Sequence, residues 1–398
     1  MKGGIKFDNY DSLIPNIKTT SGQFRAIAMQ NDGEIDLKNL QVQLPLKNGG
    51  NILFDNVGID LSGNKGGNLF IRGNSLSVNG GYFFIDNTGD DNPTLLNGIE
   101  IATNEFIMQG ESYLTFDVMG KGNAGNININ AESMNVLDGA EIHSNTNSKG
   151  NAGNLVIVSN ILSVNNKSSE NYTSISSDAY SGSSGNAGLI SINTNSVNLL
   201  NGGEIHTNTW ASGNAGTITI NANELTADGQ NSAFFTGVSS SSELDDKNNP
   251  LMESGDAGNV NVNVNGTLNL FNGGAIRSDT FTIGNGKEVF VKADNIIIDG
   301  RNSKFATGVT SNANSNSNGN AGAIKIDTKN ILIQNEGGIS SQANIQANGN
   351  SGYVNIKAEQ VDLKTDGYIS TSTNSVGSAG NINLSKRAKN PAVQGGDG

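Results

Sequence analysis

From Gly122 onward, apolar residues fall on alternate positions in short bursts, and the bursts recur. Counting from the glycines at 122, 150, 185, 213, 255, 284, 319, 349 and 377, the fifth residue on is Ile127, Leu155, Ile190, Ile218, Val260, Val289, Ile324, Val354 and Ile382. The seventh is Ile129, Ile157, Ile192, Ile220, Val262, Val291, Ile326, Ile356 and Leu384, with polar residues such as Asn128, Thr219 and Lys325 between. A period of two predicts a β-strand with one buried face. A second burst follows at Met134/Val136, Val197/Leu199, Leu268/Leu270, Ile296/Ile298 and Val361/Leu363. Asp138-Gly139, Asn201-Gly202 and Asp366-Gly367 then predict turns. The third burst opens on Ile142, Ile175, Ile205, Val238, Ile276, Val309, Ile339 and Ile369. Two residues after each of these stands a hydroxyl, from Ser144 to Thr371.

The spacing of the bursts predicts the architecture. Gly-Asn-Ala-Gly or a close variant recurs at steps of 28, 35, 28, 42, 29, 35, 30 and 28 residues. A firm minimum with variable excess describes a coil of fixed circumference whose corners carry loops. Three short strands per coil, joined by turns, predict an all-β solenoid, a parallel β-helix in which each coil pairs with its neighbours. Roughly eleven coils at ~4.8 Å spacing predict a rod on the order of 50 Å long. Stacked hydroxyls are expected to bond one another up their column. Asn123, Asn151, Asn186, Asn214, Asp256, Asn285, Asn320 and Asn350 are expected to form a ladder at a corner. Three segments follow. Residues 1–121 are N-terminal coils with larger apolar core residues such as Phe83 and Phe116, residues 122–384 are regular coils, and residues 385–398 are a frayed tail.

Composition narrows the function. The 398 residues include 52 Gly, 5 Pro and no Cys, so disulfides and thiolate metal sites are excluded. A net charge of −13, without a basic stripe interleaved with aromatics, argues against nucleic acid. No apolar run has the length of a membrane span, and the N-terminus lacks a signal-peptide pattern.

"GNAGNININAESMNVLDGAEIHSNTNSKGNAG" (Gly122 to Gly153) resembles the coils of filamentous haemagglutinin-type exoproteins, the passengers of two-partner secretion. "SGQFRAIAMQNDGEIDL" (Ser21 to Leu37) and "NILFDNVGIDLSGNKGGNLFIRGNSLSV" (Asn51 to Val78) are similar to the segment following that family's secretion domain. The resemblance covers nearly the whole chain. It implies a right-handed parallel β-helix, a secreted or cell-surface location, and export through a paired outer-membrane transporter. It also implies adhesive contact with cell-surface glycan or protein. The family's secretion domain and signal peptide are not found here, so the resemblance implies an excerpt of a longer precursor. Freedom from Cys suits a passenger threaded unfolded through a pore.

Parallel β-helices also carry polysaccharide lyases and hydrolases, which need clustered carboxylates in one groove. Asp90-Asp91 and Asp245-Asp246 lie in Asn- and Pro-rich runs and read as solvated turns. No catalytic residue, cofactor or metal ligand set is assigned. A purely structural rod is the third reading. The ligand candidates sit on the third strand's outward face: Glu141, His143, Glu204, His206 and Arg277, with Trp210 at the next corner. That face is expected to be an exposed polar stripe. Arg277 is expected to be the one arginine on a strand face. Two insertions add loop candidates: Tyr172 and Tyr180 in one, and Phe234, Phe235, Asp245 and Asp246 in the other. Both loops are expected to overhang the histidine column.

Overall fold

A computed structural model describes residues 4–8, 17–30, 49–94, 98–230, 232–244, 254–301, 303–374 and 376–387. Those residues are all-β, with no helix, and every pairing between their strands is parallel. No helix among them is long and apolar enough to cross a membrane.

The strands lie in a nineteen-stranded and a twelve-stranded sheet. In each, a strand pairs with its counterpart one repeat along the chain. The first and second bursts build the larger sheet. Ile127 to Ala131 pair with Leu155 to Ser159, and Ser133 to Leu137 with Ile161 to Asn165. In that repeat the two bursts run together as one long strand, Asn126–Leu137. They also run together in Leu155–Asn165, Val289–Asp299 and Ile324–Gln334, and are separate in other repeats, as at Ile190–Asn193 and Ser196–Leu200. Asn side chains step across the break, with Asn265 Nδ2 donating to Asn223 Oδ1 at 2.9 Å.

The third bursts form the smaller sheet in chain order, from Ile17–Lys18 to Tyr368–Ser370. At ~4.8 Å per strand it is about 50 Å wide. Beside it, single parallel bridges link Thr146, Ala179, Thr209, Ser242 and Thr280 in turn.

The apolar columns meet between the sheets. Ile127, Ile190, Ile205, Ile218 and Val238 are all fully buried, each contributing about 1.5–3 kcal/mol. Larger residues fill the N-terminal repeats, as their sequence suggests. Phe54, Phe83, Phe106 and Phe116 are among the largest fully buried side chains, and Phe7 stacks on Phe54 at 4.7 Å. Toward the C-terminus the same columns open, with Leu363 at 49% and Leu384 at 59% exposure. Strand Ile382–Lys386 runs past residue 384, where the tail was expected to begin.

The hydroxyl column is buried as expected, but most of its members bond backbone rather than each other. Ser144 Oγ donates to the Phe116 carbonyl at 2.6 Å and accepts the Gly153 amide at 2.9 Å. Ser177 repeats the pattern on the Ser144 carbonyl and the Gly188 amide. Thr207 and Ser240 do pair directly, at 3.0 Å. Backbone wins because the Gly-Asn-Ala-Gly corner turns its peptide groups inward, where they need partners. The corner Asn ladder forms: Asn151 Oδ1 accepts the Asn186 amide at 2.9 Å, and Asn186 Oδ1 accepts that of Asn214 at 2.8 Å. The recurring glycines let these corners stack. A Cβ on Gly213 would lie 1.9 Å from the Gly185 carbonyl oxygen, and one on Gly185 would lie 1.9 Å from that of Gly150.

Candidate functional site

Alternation about Ile205 and Thr207 turns Glu204, His206 and Asn208 to the opposite face of the smaller sheet. Stacking the repeats gives three columns on that face. The first runs Glu141, Ser174, Glu204, Gly237, Ala275, and the second His143, Ser176, His206, Ser239, Arg277. The third runs Asn145, Asp178, Asn208, Ser241, Asp279.

This face is not an exposed stripe. The His143 and His206 side chains are each 12% exposed, Glu204 is 8% exposed, and Asp178 is fully buried. Aromatic residues from the insertions and the adjoining corner flank the columns. Tyr172 packs on Phe234 at 4.9 Å and Tyr180 stacks on Trp210 at 5.6 Å. Phe235 lies 4.2 Å from the Arg277 guanidinium, and Tyr180 reaches back to Asn145 at 3.3 Å. Asp245 and Asp246 lie outside the described residues. Asp90 stands on an exposed turn, paired with Lys121 at 2.7 Å.

The third column is the part that residue patterning missed. Each of its acceptors takes the backbone amide of the next repeat: Asp117 that of Asn145 at 2.7 Å, Asn145 that of Asp178 at 2.8 Å, and Asp178 that of Asn208 at 2.7 Å. The same acceptor often takes a second-column side chain from the next repeat. His143 Nδ1 meets Asp117 Oδ1, and His206 Nδ1 meets Asp178 Oδ1, both at 3.0 Å. Ser239 donates to Asn208 at 2.9 Å and Ser340 to Asn312 at 2.8 Å. In these pairs histidine follows aspartate and serine follows asparagine, whereas Asp86 and Asp279 receive the hydroxyls of Thr115 and Thr310. The available signal was the Asp one residue after the inward hydroxyl position, one repeat ahead of each His.

Burial works against a charged His206, but Asp178, through its charge and hydrogen bond, outweighs it and raises the imidazole to about 9. His143 is raised to about 9 by Asp117 against the same penalty. Burial pushes Glu204 up to about 7, although His206 and Arg277 pull the other way. Burial, then Asp117, raises Asp86 to about 6. Arg277 Nη2 pairs with Glu243 at 3.0 Å and its Nε donates to Ser239 at 3.0 Å. It is not the one arginine on a strand. Arg25 and Arg72 lie in Gln23–Ile27 and Asn68–Arg72, and buried Arg72 pairs with Glu100.

His143 and His206 stand two strands apart with Ser176 between, ~9.6 Å by strand spacing. Among the described residues no group of three or more His, Cys, Asp or Glu is placed to hold a metal ion. Open concavities of about 630 and 670 Å³ lie elsewhere, one around Pro93, Glu100 and Asn123 and the other around Glu111, Asp138 and Ser169. No family model, curated protein or solved structure matches the chain. Between the first and second columns, Glu204 Oε2 approaches His206 Nε2 to 4.0 Å.

Proposed function

We propose that the chain winds as a right-handed parallel β-helix with three short strands per coil and serves as an adhesin-like, filamentous haemagglutinin-type exoprotein passenger. In this reading it is exported by a paired outer-membrane transporter. At the cell surface or beyond, its long face makes multivalent contact with glycan or protein. The observation that carries the reading is the unbroken run of twelve parallel strands in chain order, flanked on its outer face by the aromatic residues Tyr172, Phe234, Tyr180 and Trp210. A rigid, repetitive wall with few aromatic contact points suits adhesion better than turnover. Purified protein applied to a glycan array and to cultured cells tests it, with retention on either expected. Clean negatives on both would leave a structural rod.

One observation favours a second reading, a polysaccharide-active enzyme. Glu204, held near 7 and next to an Asp-anchored histidine, has the poise of a general acid. Release of reducing ends from β-linked polymers would establish it.

A further inference from the structure

We propose that Glu204 and His206 form a binding subsite for a hydroxyl group of a neutral saccharide, with the Tyr172 ring as the platform for the sugar's C–H face. The adhesin reading supplies only the setting.

Glu204 is 8% exposed, yet its carboxylate accepts no hydrogen bond from any described residue. Its Oε2 lies 4.0 Å from His206 Nε2, which is too long for a direct bond. A single oxygen atom ~2.8 Å from each would span the gap at an angle of roughly 90°. His206 cannot swing to close it, because Asp178 holds Nδ1 at 3.0 Å. Asp178 is itself fully buried, and its second oxygen, Oδ2, has no partner among the described residues. Burying an unmet acceptor is costly, as at Asp178 Oδ2, and the Glu204 carboxylate beside it keeps enough access for an arriving donor to reach it.

The charges select the donor. An imidazolium beside the gap repels a cation, and the carboxylates repel an anion. The group that fits must accept from Nε2–H and donate to Oε2, and a hydroxyl does both. Tyr172 is 57% exposed and leans on Phe234 at 4.9 Å. Tyr172 directly precedes Thr173, which pairs with Gly203 next to Glu204, and its phenol is raised by burial and then by the charges of Glu204 and Glu141. An uncharged molecule offering hydroxyls on one side and an apolar face on the other is a saccharide. The Asp117–His143 pair repeats the Asp178–His206 pair two strands earlier, roughly 10 Å away, with Glu141 at the position equivalent to Glu204. That distance suits an oligosaccharide rather than one ring.

The chain's two histidines make the test direct. Protein labelled with ¹⁵N-histidine is titrated with cellohexaose, mannohexaose and maltohexaose, and with hexagalacturonate as the acidic control. At about pH 8, between the Glu204 and His206 titrations, at least one neutral hexasaccharide should shift the His206 ring signals and hexagalacturonate should not. Tyr172→Ala, at an exposed ring, and Glu204→Met, of similar length, should each weaken binding at least about tenfold. Affinity should rise as pH passes about 7 and fall as it passes about 9. The proposal is overturned if no neutral probe moves the ring, if both variants bind as wild type does, or if the probe is cleaved. Cell adhesion of the same proteins separates the two claims. Equal adhesion by wild type and variants sinks the subsite and leaves the adhesin reading standing. Hexasaccharide binding without adhesion does the reverse.

Discussion

The Asp178–His206 pair allows its charge to be removed while its hydrogen-bond ladder is kept. In Asp178→Asn, the new amide oxygen can still accept the Asn208 amide, as Asn145 accepts that of Asp178 in the repeat before. What disappears is the carboxylate that holds His206 at about 9. Against an unfolded value near 6.5, that elevation corresponds to on the order of 3 kcal/mol. Because the folded value is raised, this stability is fully present below pH ~6.5 and is lost as pH climbs through about 9. The variant should titrate His206 near or below 6.5, since burial then acts with less opposition. It should also lose His206's share of the alkaline fall in stability. Ring ¹⁵N shifts against pH give the first quantity, and urea unfolding at pH 6 and pH 9.5 gives the second. Asp117→Asn is the internal control, moving His143 and sparing His206. If His206 titrates at the same pH in wild type and Asp178→Asn, the ion-pair account is wrong.

Three further outcomes are expected in urea unfolding. Gly213→Ala should cost about 3 kcal/mol or more, because its Cβ would meet the Gly185 carbonyl at 1.9 Å; a neutral result would mean the corners are not closely stacked. Ile205→Ala, at a fully buried position, should cost about 2–5 kcal/mol through transfer and cavity terms. Asn186→Ala should cost only about 1 kcal/mol, since its corner is exposed and water can replace its bond to the Asn214 amide. A loss as large as that of Ile205→Ala would contradict this account of the ladder.

Much of the wall was legible because alternation is a local property. Ile127, Ile129 and Ile205 each sit between polar neighbours, and all are buried. The corner asparagines were equally readable, since one residue type recurs at one offset. The hydroxyl column was placed correctly, but its partners were not, because the inward-turned peptide groups of the corners have no residue code. The site was least legible. Glu204 and His206 were found by their rarity, yet the aromatic pairs flanking their columns include Tyr172, Tyr180 and Phe234 from insertions whose course no repeat predicts. Asp178 was missed because its partner lies 28 residues away, and spacing along one strand does not reveal a bond between two.

The step from each third-column acceptor to the next repeat's side chain has a consequence for how such a chain can change length. A repeat is not a free-standing module, because its histidine is matched to the aspartate before it. Excising the repeat that contains Asp178 would set His206 over Asn145, replacing a charged partner with a neutral one. Excising or copying two consecutive repeats would preserve the match. The stretches "GAEIHSNTNSKGNAG" and "GGEIHTNTWASGNAG" stand two repeats apart, each preceded by its own Asp. Insertions and deletions in this region should therefore be tolerated in pairs of repeats and penalised singly.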